Sequence, residues 1–94
     1  MNDDQLDRSL RSIGKACFVK YFAEFSDLAI SSEDLIDMLM QQEGYTESGC
    51  KTRISNSRRI ISSGRQDEAL AMIIASERVE AEIVDKAREL RRNK

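Results

Sequence analysis

The stretch IGKACFVKYFAEFSDL, Ile13 to Leu28, holds all three phenylalanines of the chain (Phe18, Phe22, Phe25) and one of its two tyrosines, Tyr21. Ala16, Cys17, Val19 and Ala23 lie between them, so apolar side chains would cover most of the circumference of a helix. A helix apolar nearly all round belongs in a core. The polar residues Lys20, Glu24 and Asp27 are spaced by four and three, which predicts one solvent-facing stripe with Lys20 and Glu24 able to pair. Aromatic residues at helical spacing are core far more often than cofactor contacts. The rest of the chain is therefore expected to pack around this segment.

Working outward, an apolar series runs Leu6, Leu10, Ile13, Cys17, Tyr21, Phe25, Leu28 at steps of three and four. Asn2 or Asp3 is placed to cap it, and Gly14 is placed to bend it or to let a neighbour approach. Ser31 reads as the next helix cap, with Asp34 three residues on and Ile30 and Leu35 as a hydrophobic staple. That helix is predicted to run to about Gln42 and stop at Gly44, with Leu35, Ile36, Leu39 and Met40 inside and Glu33, Asp34, Asp37 and Gln41 outside. Thr46 caps the following helix, whose thin apolar stripe is Cys50, Ile54, Ser57 and Ile61 and whose end is Gly64. From Gln66 the pattern is helical to the end of the chain, as one helix or as two if Ser76 caps a fresh one. Ala69, Leu70, Ile73 and Ile74 face inward. Val79, Ile83, Ala87 and Leu90 continue that face or form a seam between chains, while Arg78–Glu82, Glu82–Lys86 and Asp85–Arg88 are spaced for pairing. The basic end, Arg91, Arg92 and Lys94, complements a helix dipole.

The predicted fold is all-α: one domain over residues 1–94, a bundle of four to five helices with a helix-turn-helix-like segment. Composition agrees, with no proline, 40% hydrophobic and 34% charged residues, and only three valines to feed strands. No apolar run reaches the ~18 residues of a membrane helix, and the acidic start Met1-Asn2-Asp3-Asp4 is unlike a basic signal peptide. A cytoplasmic protein is expected.

Catalytic chemistry is sparse. The chain has no histidine, the commonest general base and metal ligand. Its four glycines form neither a dinucleotide fingerprint nor a P-loop. Cys17 and Cys50 are isolated, which suggests neither a metal site nor a disulfide framework. Cys50, beside Lys51 in a first helical turn, is the one nucleophile candidate because the lysine and the helix start would both lower a thiol pKa, although its place as the staple partner of Tyr45 favours packing. The expectation is no enzyme, no cofactor and no metal.

Charge is the informative feature. Residues 21–50 carry seven acids and no base, and residues 51–66 carry five bases and no acid, within a chain whose net charge is −2. Segment 33–65, an amphipathic helix, a turn at Gly44 and a helix coated with Lys, Arg, Asn, Ser and Thr, has the general layout of a helix-turn-helix. Lys51, Thr52, Arg53, Ser55, Asn56, Arg58, Arg59 and Arg65 are the candidate contacts to double-stranded DNA. Arg and Lys suit guanine edges and phosphates, Asn suits adenine, and Ser and Thr bond the backbone. Lys51, Ser55, Arg58 and Ser62 fall on one face. Against DNA stand a sequence pI of 5.2 and the acidic helix that would cross the phosphates. The alternatives are pairing of the basic helix with the acidic segment, within a monomer or across a homodimer, and a protein partner meeting the acidic helix through Met38 and Met40.

Overall fold

The computed structural model describes residues 1–92, all-helical with no strand among them. Seven helices follow in order: α1 Asp3–Ile13, α2 Lys15–Lys20, α3 Phe22–Ser26, α4 Ser32–Glu43, α5 Glu47–Ser62, α6 Gln66–Ala75 and α7 Ala81–Arg92. The radius of gyration, 12.4 Å, matches the roughly 12 Å of a compact chain of this length.

The number exceeds the four to five expected because the first apolar series is divided twice. Gly14, at φ 89°, breaks the helix in a backbone region that L side chains rarely adopt. Helical hydrogen bonds resume at once on both sides, Gly14 N–H to Leu10 O and Phe18 N–H to Gly14 O. A second break at Tyr21 (φ −113°, ψ 20°) separates α2 from α3. Lys20 and Glu24 consequently lie on different helices, and Lys20 pairs with Glu43 at 3.2 Å instead.

Caps set the remaining boundaries. Asn2 and Gln5 form a reciprocal capping box, Ser31 Oγ accepts from Asp34 N–H at 3.1 Å, and Thr46 Oγ1 accepts from Gly49 N–H at 3.0 Å. α4 stops at Gly44 in the left-handed conformation, and α5 closes through Arg65 N–H to Ile60 O. Ser76 ends α6 rather than starting α7, its hydroxyl taking Lys15 Nζ at 3.2 Å.

The core is Leu6, Leu10 and Ile13 of α1, Cys17, Phe18, Val19, Tyr21 and Phe25 of the aromatic run, and Leu35, Leu39, Ile54, Ile60, Leu70 and Ile73 from the later helices. Helix α5 lies at its centre, packed against α1, α3, α4 and α6, while α7 closes over α6 and α2. Val79, Ile83 and Leu90 are partly buried against this core and Ala87 is fully buried, so that row continues the inner face. Asp85–Arg88 forms at 3.6 Å. Arg78, however, precedes α7, and Lys86 donates to Lys20 O at 3.2 Å. Arg91 pairs with Asp67 at 2.9 Å, and Lys94 lies outside the described residues.

Several apolar residues depart from the expected faces, among them Ala16 and Ala23 of the aromatic run, which are exposed. Ile60, fully buried, takes the inner place predicted for the half-buried Ile61, because neighbours on several sides widen the buried face of α5. Met40 is 42% exposed and Leu28 87% exposed. For Leu28 the cause is local: α3 ends at Ser26, Asp27 Oδ1 accepts Ala29 N–H at 2.9 Å, and the resulting turn cancels the helical periodicity.

Candidate interaction face

Helix α5 supplies seven of the eight candidate residues, and the fold divides them by how far each is drawn inward. Arg53 is half-buried, its guanidinium 3.7 Å from the centre of the Tyr45 ring and its Nη1 donating to Gly49 O at 3.0 Å. A Cβ on residue 49 would stand 2.9 Å from that nitrogen, so the glycine makes room for the stacked arginine. Asn56 turns back on its own helix, Nδ2 to Thr52 O at 2.8 Å. Arg58 reaches the corner between α3 and α4. Its Nη2 donates to Ile30 O at 2.6 Å and Asp27 O at 3.3 Å, and its Nη1 to Ser32 Oγ at 3.3 Å. Arg65, whose side chain is 17% exposed, binds Asp3, Glu68 and the Met1 carbonyl. Hydrogen bonds to Glu68 and Asp3 raise its pKa further above the ordinary arginine range.

Lys51, Thr52, Ser55 and Arg59 remain on the outside with Ser48 and Ser62. Lys51 meets Glu47 one turn back at 3.3 Å, both exposed, a pair of small energetic value. Arg59 makes no side-chain hydrogen bond or ion pair among the described residues. The predicted face of Lys51, Ser55, Arg58 and Ser62 therefore loses Arg58 to the α3–α4 corner.

Two depressions flank the outer stripe. The larger, about 570 Å³, has Phe25, Leu28 and Ile61 as its apolar lining with Arg58 and Arg59 on the wall. The smaller, about 290 Å³, lies between α4 and α5 over Ile36, Ile54 and Lys51. Ser55 and Arg58 line both and stand between them. Leu28 and Ile36 were absent from the candidate contacts. The signal for Leu28 was available in Asp27 preceding the Ser31 cap, a turn pattern that stops a helix.

Cys50 is fully buried, and burial pushes its thiol pKa up, the reverse of the lowering expected from Lys51 and the first helical turn. Cys17 is likewise buried and raised. Beside it, Tyr21 Oη donates to Glu43 Oε2 at 2.8 Å. Burial and that bond raise the tyrosine, while the same bond, with Lys20, holds the Glu43 carboxyl below the ordinary range. These contacts tie α2 to the end of α4. No group of three or more potential metal-binding side chains is assembled among the described residues, and no helix there is long and apolar enough to cross a membrane. Comparison of the chain with protein-family models, curated proteins and solved structures returned no match.

Proposed function

We propose that the chain is a non-catalytic interaction module, working through the outer side of α5 and the α3–α4 corner, and that its partner is a protein segment carrying acidic and apolar side chains. The observation that carries this reading is the juxtaposition at the larger depression. Arg59, a cation without a side-chain partner among the described residues, stands beside the apolar group Phe25, Leu28 and Ile61. An exposed leucine next to a desolvating groove is the kind of anchor that protein interfaces use. The serines at 55 and 62 keep the wall low and add no acid. A helix presenting leucines at helical spacing and glutamates beside them matches that chemistry.

A fluorescent synthetic helix of Leu and Glu and its Leu–Lys counterpart test the reading by anisotropy. The acidic peptide is expected to bind with an affinity that falls with salt and drops at least about tenfold on Arg59→Glu, roughly 1.4 kcal/mol. Equal binding of both peptides, or none of either, contradicts it.

The second reading is DNA binding through a helix-turn-helix. It is favoured by the three-residue turn Gly44–Thr46 between α4 and α5 and by the acid-free run from Ser48 to Gln66. Magnitude decides against it as first choice. With Arg53, Arg58 and Arg65 engaged internally, Lys51 and Arg59 offer about two phosphate contacts, hence a log–log salt slope near −1.8, where strong binders make roughly six to ten. α4, packed against α5, carries the exposed acids Glu33, Asp34 and Asp37, which oppose an approaching phosphate backbone. Titration of mixed-sequence duplex at about 50 and 200 mM salt separates the readings. A slope steeper than about −5, flattened by about one in Arg59→Ala, moves the function to DNA.

A further inference from the structure

A cleft of about 700 Å³ opens where the break at Gly14 faces the connection between α6 and α7. Its volume falls within the roughly 300–1,000 Å³ of small-molecule sites. No residue of α3, α4 or α5 lines it, so it shares nothing with the interaction face and stands or falls separately. We infer that this cleft binds a small amphipathic anion, a carboxylate or phosphate head on an apolar body.

The four cations that line it are not equivalent. Arg11 pairs with Asp7 at 3.0 Å and Lys20 with Glu43 at 3.2 Å. Lys15 makes no ion pair among the described residues; half-buried, it donates from Nζ to the neutral Ser76 hydroxyl at 3.2 Å. An ammonium carries three donors, so two remain for an acceptor in the cleft. Ser76 Oγ also accepts the backbone N–H of Arg78 at 3.4 Å. With both lone pairs of that oxygen taken, its hydrogen is left to donate. The Arg78 side chain lines the same cleft and makes no hydrogen bond or ion pair among the described residues. Lys15, Ser76 and Arg78 therefore supply donors that lack an acceptor, and two of the three are charged, which suits a carboxylate or phosphate oxygen.

The other half of the ligand follows from the apolar lining. Val79 and Ile83 are partly buried against the core, and Ala16 is exposed within the aromatic run. A few polar groups on an apolar surface are the usual make-up of a ligand cleft. Glu80 and Glu82 also line it, exposed and paired with neither Lys15 nor Arg78. They stand at the start of α7, where the helix dipole favours acids, and their charge limits the ligand to a single head group and disfavours a polyanion.

The test follows the amide spectrum of the full, ¹⁵N-labelled chain during titration with decanoate, decyl phosphate, acetate and decyltrimethylammonium. At least one of the two long-chain anions is expected to bind with a dissociation constant below about 1 mM, shifting the amides of Gly14 to Ala16 and of Ser76 to Ile83, and the tighter of the two names the head group. Acetate, a head without the apolar body, should bind at least about tenfold more weakly. Lys15→Met should weaken the long-chain anion at least about tenfold, the order expected for a hydrogen bond to a charged group. Arg78 is exposed, so Arg78→Gln keeps the fold and decides the matter should Lys15→Met unfold; it should weaken binding at least about threefold. Equal binding of decyltrimethylammonium overturns the inference, because the cleft would then select only an apolar chain. So do shifts confined to other parts of the chain, an affinity that ignores the substitutions, or no shift with either long-chain anion up to about 5 mM.

Discussion

The aromatic run 13–28 and the basic run 51–66 lie against each other in the folded chain and are immobilised by different physics. Phe18 and Phe25 are fixed by packing, each fully buried, with ring pairs Phe18–Phe22 and Tyr21–Phe25 in edge-to-face geometry at 5.5 and 6.4 Å. Arg58 and Arg65 are fixed by charge-assisted hydrogen bonds to carbonyls and carboxylates of distant segments, Ile30 and Asp27 for the first, Met1 and Asp3 for the second. The contrast teaches how a helix with a thin apolar stripe can occupy the centre of a small bundle. α5 contributes Cys50, Ile54, Ser57 and Ile60 to the interior and binds its surroundings with arginines that reach over the edges. Only the strip left over, around Ser55 and Arg59, is available to a partner.

The packing side of this contrast breaks first at Phe18. Phe18→Ala is expected to lose about 3–5 kcal/mol. The half-buried Phe22 should lose less on the same change, roughly 1–2 kcal/mol. Equal losses in urea unfolding would show that the two rings are alike in burial and that the division of the aromatic run into α2 and α3 is wrong.

Tyr21 joins the two kinds of fixation, a buried ring whose hydroxyl holds Glu43. Tyr21→Phe should cost about 1.5 kcal/mol near pH 7. The Glu43 carboxyl is held below its ordinary pKa, first by the Tyr21 hydrogen bond. Its stabilisation is therefore complete above the ordinary value of about 4.3 and is lost as pH falls through the lowered folded value. The stability gap between wild type and Tyr21→Phe should narrow on going from pH 7 to about pH 3. A gap that stays constant or widens in acid would remove Glu43 from the account.

The smallest effect belongs to the outer strip. Ser55→Ala should change stability by less than about 0.5 kcal/mol, measured in the same urea series. A loss above 1 kcal/mol would mean that Ser55 is structural, leaving less of α5 for a partner.

Much of this architecture was readable in local chemistry. Asn2, Ser31 and Thr46 cap where their side chains satisfy amides three residues away, and Gly44 and Gly64 stop helices where a left-handed residue is needed. Such signals are short-range and survive folding unchanged. Leu28 was misplaced because a periodic series was carried past Asp27, whose turn ends the helix. Met40 was misplaced because α4 is covered on one side only, so its apolar residues outnumber the inner positions. The candidate contacts were harder for a deeper reason. Arg58 and Arg59 are the same residue type side by side, and what separates them is a bond from residue 58 to a carbonyl 28 residues away. No local pattern encodes that distance, and composition counts both as equally available.

The division of labour on α5 turns on these two neighbours, and the direct test is equilibrium urea unfolding of Arg58→Ala beside Arg59→Ala in one buffer. Loss of the three hydrogen bonds at the α3–α4 corner should lower the stability of Arg58→Ala by about 2 kcal/mol, whereas Arg59→Ala should stay within about 0.5 kcal/mol of wild type. Equal losses, or a larger loss for Arg59, would contradict the claim that α5 divides its cations between holding the fold and facing a partner.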